Sequence, residues 1–259
     1  MVFHIITLFP EAFGSYLKES IIGCALGKAN QRGSKRRLTL IKANKHKLIS
    51  VKFYNPRDFV KNAKGKDKNY RQVDDRPYGG GPGMVMRAEP ILKAVEFVFK
   101  KISTPSCKRA TPLEGNKKIL TVNFVPNAEK FTTSFAKKVS KKYTDIILIC
   151  GRYEGIDARV DKILKDLPRL GGARKISVGD YVLTGGELPA MVLMDCISRQ
   201  IPGVLGKYES LEENRISSSE VYTRPEVLKY KGKKYKVPNI LLSGNHKKIE
   251  DWKKSNKKS

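Results

Sequence analysis

The chain has 259 residues, 40% of them apolar, and a formal net charge of +27 from 52 Lys and Arg against 25 Asp and Glu. Length and apolar content fit one large domain, or a domain of about 200 residues with a small appendage. The charge points to polyanionic partners, nucleic acid first and an anionic membrane second. No apolar run nears the roughly 18 residues that span a bilayer.

From the amino terminus, FHIITLF (3–9) reads as a compact strand ended by Pro10. The opening MVFHIITLFPEAF has no basic leader before its apolar run, so it does not read as a signal peptide, and a cytoplasmic chain is expected. Four cysteines (Cys24, Cys107, Cys150, Cys196) lie far apart with no CxxC spacing, which speaks against a metal or disulfide framework and reads better as buried free thiols. Residues 31–50 form a basic block without a single acid, and DDRPYGGGPGM (74–84) is a loop rich in glycine and proline. AEPILKAVEFVFKKI (88–102) carries apolar residues at helical spacing. ILTVNFV (119–125) and DIILIC (145–150) are near-continuous apolar runs, as in parallel strands covered on both faces. Between them, AEKFTTSFAKKVSKKY (128–143) reads as a helix, so the order of elements predicts an α/β fold with a parallel sheet.

ISVGDYVLTGGELPA (176–190) begins as a strand and interrupts itself at Gly179-Asp180 and Gly185-Gly186. ELPAMVLMDCISR (187–199) starts with proline at an early helical position and is apolar nearly all round, as a buried or interface helix would be. Gly203 and Gly206 end the compact region, and the polar stretch 207–222 reads as a linker. The tail 229–259 carries eleven lysines against two acids and is too small to hold a core. The expected division is therefore 1–206, a linker at 207–222, and a short basic segment at 223–259.

Three glycine-rich segments draw the chemistry together: 74–84, CGRYEGID (150–157) and 176–190. The last two follow predicted parallel strands, where α/β sheets place their ligands, and glycine lets a ligand approach the backbone. No phosphate-loop or dinucleotide fingerprint is present. GRYEG joins an arginine, an aromatic and a carboxylate between two glycines, parts suited to a nucleotide-like ligand.

VDDRPYGGGPGM, CGRYEGIDARV, ISVGDYVLTGGELPAM, SRQIPGVLG, YTRPEVL and LLSGNHKKI, with the amino-terminal IITLFPEAF and NPRDF, occur in one order along the chain. In this combination the sequence resembles the bacterial tRNA (guanine-N1)-methyltransferases of the SPOUT class. The resemblance implies a deep trefoil-knotted α/β domain, a homodimer, S-adenosyl-L-methionine as methyl donor, and N1 of guanine 37 in tRNA, next to the anticodon, as target. It places the donor pocket on Phe124, Pro126, Gly151, Tyr153, Glu154, Val178, Gly179, Asp180, Tyr181, Val182, Leu183, Gly185, Gly186 and Pro189. The amides from Val178 to Leu183 are expected to face the adenine, and Glu154 the cationic end of the donor. Asp74, Asp75, Arg76 and Arg152 fall near the tRNA. No metal ligand set is readable, and Mg²⁺ is compatible with the resemblance without being indicated by any residue.

N1 of guanine carries a proton at neutral pH, so methylation needs a base and a group that stabilises charge at O6. The resemblance assigns these to a linker aspartate and to an arginine at the end of the preceding helix. The arginine falls on Arg199, but the aspartate position falls on Asn214, whose amide cannot take the proton. Glu212 or Glu213 taking over, substrate- or water-assisted deprotonation, and a tRNA-binding protein with weak or no activity all remain open at this point. Relative to the family pattern, 31–50 reads as a basic insertion, LPRLGGARK (167–175) replaces a shorter acidic segment, and the carboxyl-terminal domain reads as truncated to a short helical segment.

Overall fold

The computed structural model describes residues 1–27, 47–60, 71–103, 118–167, 173–205 and 220–255. Cys107, Glu212, Glu213, Asn214, most of the basic block and nearly all of the linker lie outside the described residues. The chain divides into two compact units, Met1–Val204 and Leu205–Ser259.

In the first unit the elements run β1 (Val2–Ile6), α1 (Ser20–Ala25), β2 (Ser50–Tyr54), β3 (Asp74–Asp75), β4 (Val85–Met86), α2 (Ala88–Ser103), β5 (Ile119–Lys130), α3 (Thr133–Lys142), β6 (Asp145–Ile149), α4 (Arg159–Asp166), β7 (Ala173–Ser177) and α5 (Glu187–Arg199). The main sheet has the order β2-β1-β6-β5-β7, and each of its strand pairs is parallel. The continuous apolar character of β6 has a simple cause. Ile146 and Leu148 belong to one core, with Phe135, Ala136 and Val139 of α3 and Ala190, Leu193, Met194 and Ile197 of α5. Ile147 and Ile149 belong to the other, with Ile91, Ala94, Val95 and Val98 of α2 and Val160 and Leu164 of α4. Helices cover both faces, so neither set of alternating side chains is left to water.

Several sequence expectations change. The first strand ends at Ile6 rather than at residue 9, and Phe9 lies 46% exposed beyond it. The helix expected from residue 128 starts at Thr133, where the Thr132 hydroxyl accepts the Phe135 amide at 3.2 Å. Residues 128–130 instead end β5, because Glu129 and Lys130 still pair with β7. Ser50 belongs to β2, an edge strand hidden in sequence by the lysines around it. Cys150 is buried as expected, but Cys24 points outward from α1 and Cys196 is half-buried.

The second unit was expected to be helical. It contains an antiparallel hairpin, β8 (Val227–Tyr230) and β9 (Lys233–Lys236), followed by α6 (Asn239–Leu242) and α7 (His246–Ser255). Neither of its helices contains a buried residue, in keeping with a segment too short for a core.

Candidate active site

A cleft of about 340 Å³ opens at the carboxyl ends of β5, β6 and β7, within the roughly 300–1,000 Å³ usual for small-molecule sites. Three segments wall it, and each is shaped by a local feature of the sequence.

The first wall comes from β5. Its pairing with β7 jumps from Phe124 to Glu129, both set against Ile176, so residues 125–128 leave the ladder. Pro126, which has no amide hydrogen to give a ladder, sits in that excursion. Phe124, Val125 and Pro126 are thereby turned onto the cleft.

The second wall follows β6. Residues 152–155 form a tight turn, with the Gly155 amide on the Arg152 carbonyl at 3.1 Å. Tyr153 takes φ +59 there, a left-handed conformation that costs a non-glycine residue about 1–2 kcal/mol. Glu154 is held from outside by the glycine-rich loop. Its amide donates to the Met84 carbonyl at 3.0 Å, and a Cβ on Gly83 would fall 2.6 Å from Glu154 Cγ. Gly83 also sits at φ +87, so this approach requires glycine twice over.

The third wall is the doubly interrupted stretch after β7. The chain leaves the sheet edge at Ser177 and returns to the end of β6, where Gly185 bridges Arg152 and the Gly186 amide donates to the Gly151 carbonyl at 2.9 Å. A Cβ on Gly186 would lie 2.6 Å from the Cys150 Cα, so this glycine serves close backbone approach rather than a positive φ. The Gly179 amide turns to the Ser177 hydroxyl at 3.3 Å, which commits one of the amides expected to face the ligand.

All of the expected pocket residues except Asp180 line the cleft: Phe124, Pro126, Gly151, Tyr153, Glu154, Val178, Gly179, Tyr181, Val182, Leu183, Gly185, Gly186 and Pro189. Asp180 does not line it, and its exposed carboxylate pairs with Lys130 Nζ at 2.5 Å across the loop. Arg152 also lines the cleft. Arg199 lies half-buried at the end of α5 and does not line it, and neither do Asp74, Asp75 and Arg76. Asp74 and Asp75 form β3, which pairs with Met86 and Val85 of β4, and Met86 in turn bridges Ile156. That route ties the acidic pair to the second wall.

Two polar groupings were not legible in the sequence. Glu187, 3% exposed at the start of α5, accepts the Thr7 hydroxyl at 2.7 Å and ion-pairs with Arg152 Nε at 3.0 Å. The Arg152 guanidinium stacks over Phe9 at 4.5 Å. Beside them the Cys150 thiol is pushed well up, first by burial and then by the Glu187 carboxylate, against a smaller opposing pull from Arg152. Asp161 accepts the Asn123 amide at 2.9 Å and pairs with Lys175 Nζ at 2.8 Å, and all three line the cleft. The one signal for this second grouping was Asn123, a polar residue inside an otherwise apolar strand. Among the described residues, no group of three or more His, Cys, Asp or Glu side chains is placed to hold a metal ion. No helix among them is long and apolar enough to cross a membrane.

The family described as tRNA (Guanine-1)-methyltransferase TrmD matches residues 1–259. This chain belongs to that family. Among individual members, a tRNA (guanine-N(1)-)-methyltransferase of Clostridioides difficile strain 630 is 41% identical over 261 residues, covering 98% of this chain and 91% of that protein. Proteins of the same name from Dictyoglomus turgidum and Carboxydothermus hydrogenoformans are 42% and 39% identical, covering 96% and 98% of this chain and 82% and 81% of theirs. As in the tRNA (guanine-1)-methyltransferase family at large, the fold is α/β of the SPOUT class, with a central parallel sheet.

Proposed function

We infer that the chain transfers a methyl group from S-adenosyl-L-methionine to N1 of guanine 37 in tRNA. The observation that carries this reading is the family match along the whole chain. The cleft supports it independently. Gly151, Gly185 and Gly186 line it without side chains, Phe124 and Pro126 offer an apolar side, and Glu154 supplies a carboxylate for a cationic ligand. When bound, the donor supplies an electrophilic methyl group on a sulfonium. The chain's own work is to orient that group and to prepare the base.

In this scheme Glu154, braced by Gly83 and Met84, holds the cationic end of the donor. Val178, Gly179, Tyr181, Val182 and Leu183 enclose its base, with Pro189 behind. Arg152, fixed by Glu187, and the segment from Asp74 to Arg76 meet the tRNA. Arg199 stabilises the negative charge that reaches O6 when N1 loses its proton. We assign that proton to Glu213, since Asn214 holds the position of the family's aspartate and keeps only hydrogen bonding to the base. The crossing from β7 back to the end of β6 is read as part of the trefoil knot, 1–206 as the donor-binding domain, and 223–259 as a basic tRNA-binding segment reached through the 207–222 linker. A homodimer built on α5 and a cytoplasmic location complete the proposal. The weakly active tRNA-binding alternative rests on Asn214 alone, while the relatives sharing about two-fifths of their residues with this chain are all named methyltransferases.

The test is methyl transfer to a tRNA transcript with guanine at position 37, beside a transcript with adenine there. We expect transfer only to the first. Arg199→Ala should lower the rate by about 3 kcal/mol or less, as for loss of one charge-stabilising donor. Glu213→Ala should lower it further than Glu212→Ala, and Asn214→Asp should raise it. An inactive wild type that Asn214→Asp rescues would establish the binding-protein alternative, and equal rates for wild type and Arg199→Ala would remove the arginine from the mechanism.

A further inference from the structure

The β8–β9 hairpin places two kinds of side chain on opposite faces. Directly opposed residues share a face, and the register is Val227 with Lys236, Leu228 with Tyr235, Lys229 with Lys234, and Tyr230 with Lys233. One face therefore carries Leu228, Tyr235, Tyr230 and Lys233. The other carries Val227 and three lysines. A two-stranded ribbon needs an apolar face packed against something to be stable by itself, yet Leu228, Tyr230 and Tyr235 are 54%, 59% and 54% exposed. This is aromatic surface held in water by backbone pairing, rather than core.

Its electrostatic setting is one-sided. Five lysines, at 229, 231, 233, 234 and 236, fall within the hairpin, and no acid occurs from 227 to 249. Lys231 occupies the turn at φ +48, beside Gly232 at φ +75, and its Nζ lies 5.6 Å from the centre of the Tyr230 ring. Two consecutive left-handed residues make the primed turn that matches strand twist, a position usually given to Asn or Gly.

We propose that the hairpin is a stacking platform for unpaired RNA nucleotides: Tyr230 and Tyr235 take the faces of bases, and the surrounding lysines take the phosphates. Exposed aromatic rings interleaved with cations are the equipment by which proteins bind single strands, because every base has a face to stack and every nucleotide a charge to neutralise. A duplex offers the charge but keeps its bases stacked on each other, so the tyrosines select for loops and ends. An acidic protein partner would use the lysines and leave the rings without a counterpart. The proposal deepens the tRNA reading above and rests on it for the identity of the RNA.

The experiment uses the full chain. Binding is measured for a tRNA transcript, for a short unstructured RNA carrying one 2-aminopurine whose fluorescence falls on stacking, and for a perfect RNA duplex as competitor. The Tyr230→Leu, Tyr235→Leu double variant keeps apolar bulk and charge but removes the rings, and the corresponding Phe variant restores them. We expect the Leu variant to weaken tRNA binding about 5- to 150-fold for each ring that stacks on a base and to abolish the 2-aminopurine quench. The Phe variant should keep both, and affinity for S-adenosyl-L-methionine should be unchanged in each. In Lys233→Gln, Lys234→Gln the salt dependence should flatten by about 0.7 for each single-strand phosphate that is no longer neutralised. The proposal is overturned if the Leu variant binds RNA as the wild type does, if only the lysine variant loses affinity, or if duplex competes as well as unstructured RNA. Failure of the enzymatic reading is separate: it is seen in the wild type as absent methyl transfer, whatever the hairpin binds.

Discussion

Cys150 sits where three demands meet: the last buried position after β6, the backbone contact with Gly186, and the neighbourhood of the Glu187 carboxylate. Burial raises its thiol well above the ordinary value, so the folded protein keeps the proton while the unfolded chain loses it from about pH 8.5 upward. The unfolded state then binds fewer protons than the native one, and stability falls as pH rises through that range. Cys150→Ala should weaken this alkaline decline in a series of urea midpoints; an identical decline in the variant would assign it to other groups. Peptide mapping after brief treatment with a thiol reagent should find Cys24 modified and Cys150 protected. At this scale the sequence was a partial guide. The position of Gly151 and Glu154 on the cleft was legible because they are crowded into one glycine-bounded turn. Glu187 was not, since what makes it structural is Thr7, 180 residues away in the chain, and nothing in its own helix announces a buried acid.

Elements were legible where burial is symmetric. β6, with a core on each face, reads as an unbroken apolar run, and α5 begins and ends as its proline and its arginine indicate. Elements whose form depends on a neighbour were missed. The end of β5 is strand only because β7 pairs with it beyond the excursion at residues 125–128, and the β8–β9 hairpin hides behind lysines that suit a solvated tail equally well. The glycines between β7 and α5 were anticipated as turn residues, whereas Gly186 is required by the space it leaves. Gly186→Ala places a methyl group 2.6 Å from a backbone carbon that cannot swing aside. It should cost about 1–3 kcal/mol in urea unfolding and lower affinity for S-adenosyl-L-methionine in calorimetry. A variant of wild-type stability and affinity would show that the junction yields freely.

For the whole molecule, the charge of +27 foretold an anionic partner but no shape, and the strand order β2-β1-β6-β5-β7 could not be derived from any local pattern. Self-association is the property still to be measured. On α5, Leu188 and Val192 lie one turn apart and are 54% and 45% exposed, with half-buried Cys196 a further turn on. An apolar stripe of that kind on a helix suits a two-fold contact with its own copy. Val192→Asp should convert a dimer to monomer in sedimentation equilibrium, and a wild type that sediments as a monomer would end the dimer reading.

The return of the chain from β7 to the end of β6 also sets a timetable. Gly186 docks against Cys150 and Gly151, so the third wall has no seat until β6 is in the sheet, and α5 follows directly from that seat. During synthesis the amino-terminal strands are made first and must wait, with the sheet residues that α5 will cover, Phe3, Ile5, Ile146 and Leu148 among them, still bare. The cleft is thus the last part of this unit to exist, and occupancy of the cleft is a certificate that assembly has finished. In refolding, donor binding should appear after the recovery of the sheet signal in circular dichroism; if the two rise together, the order of assembly is different.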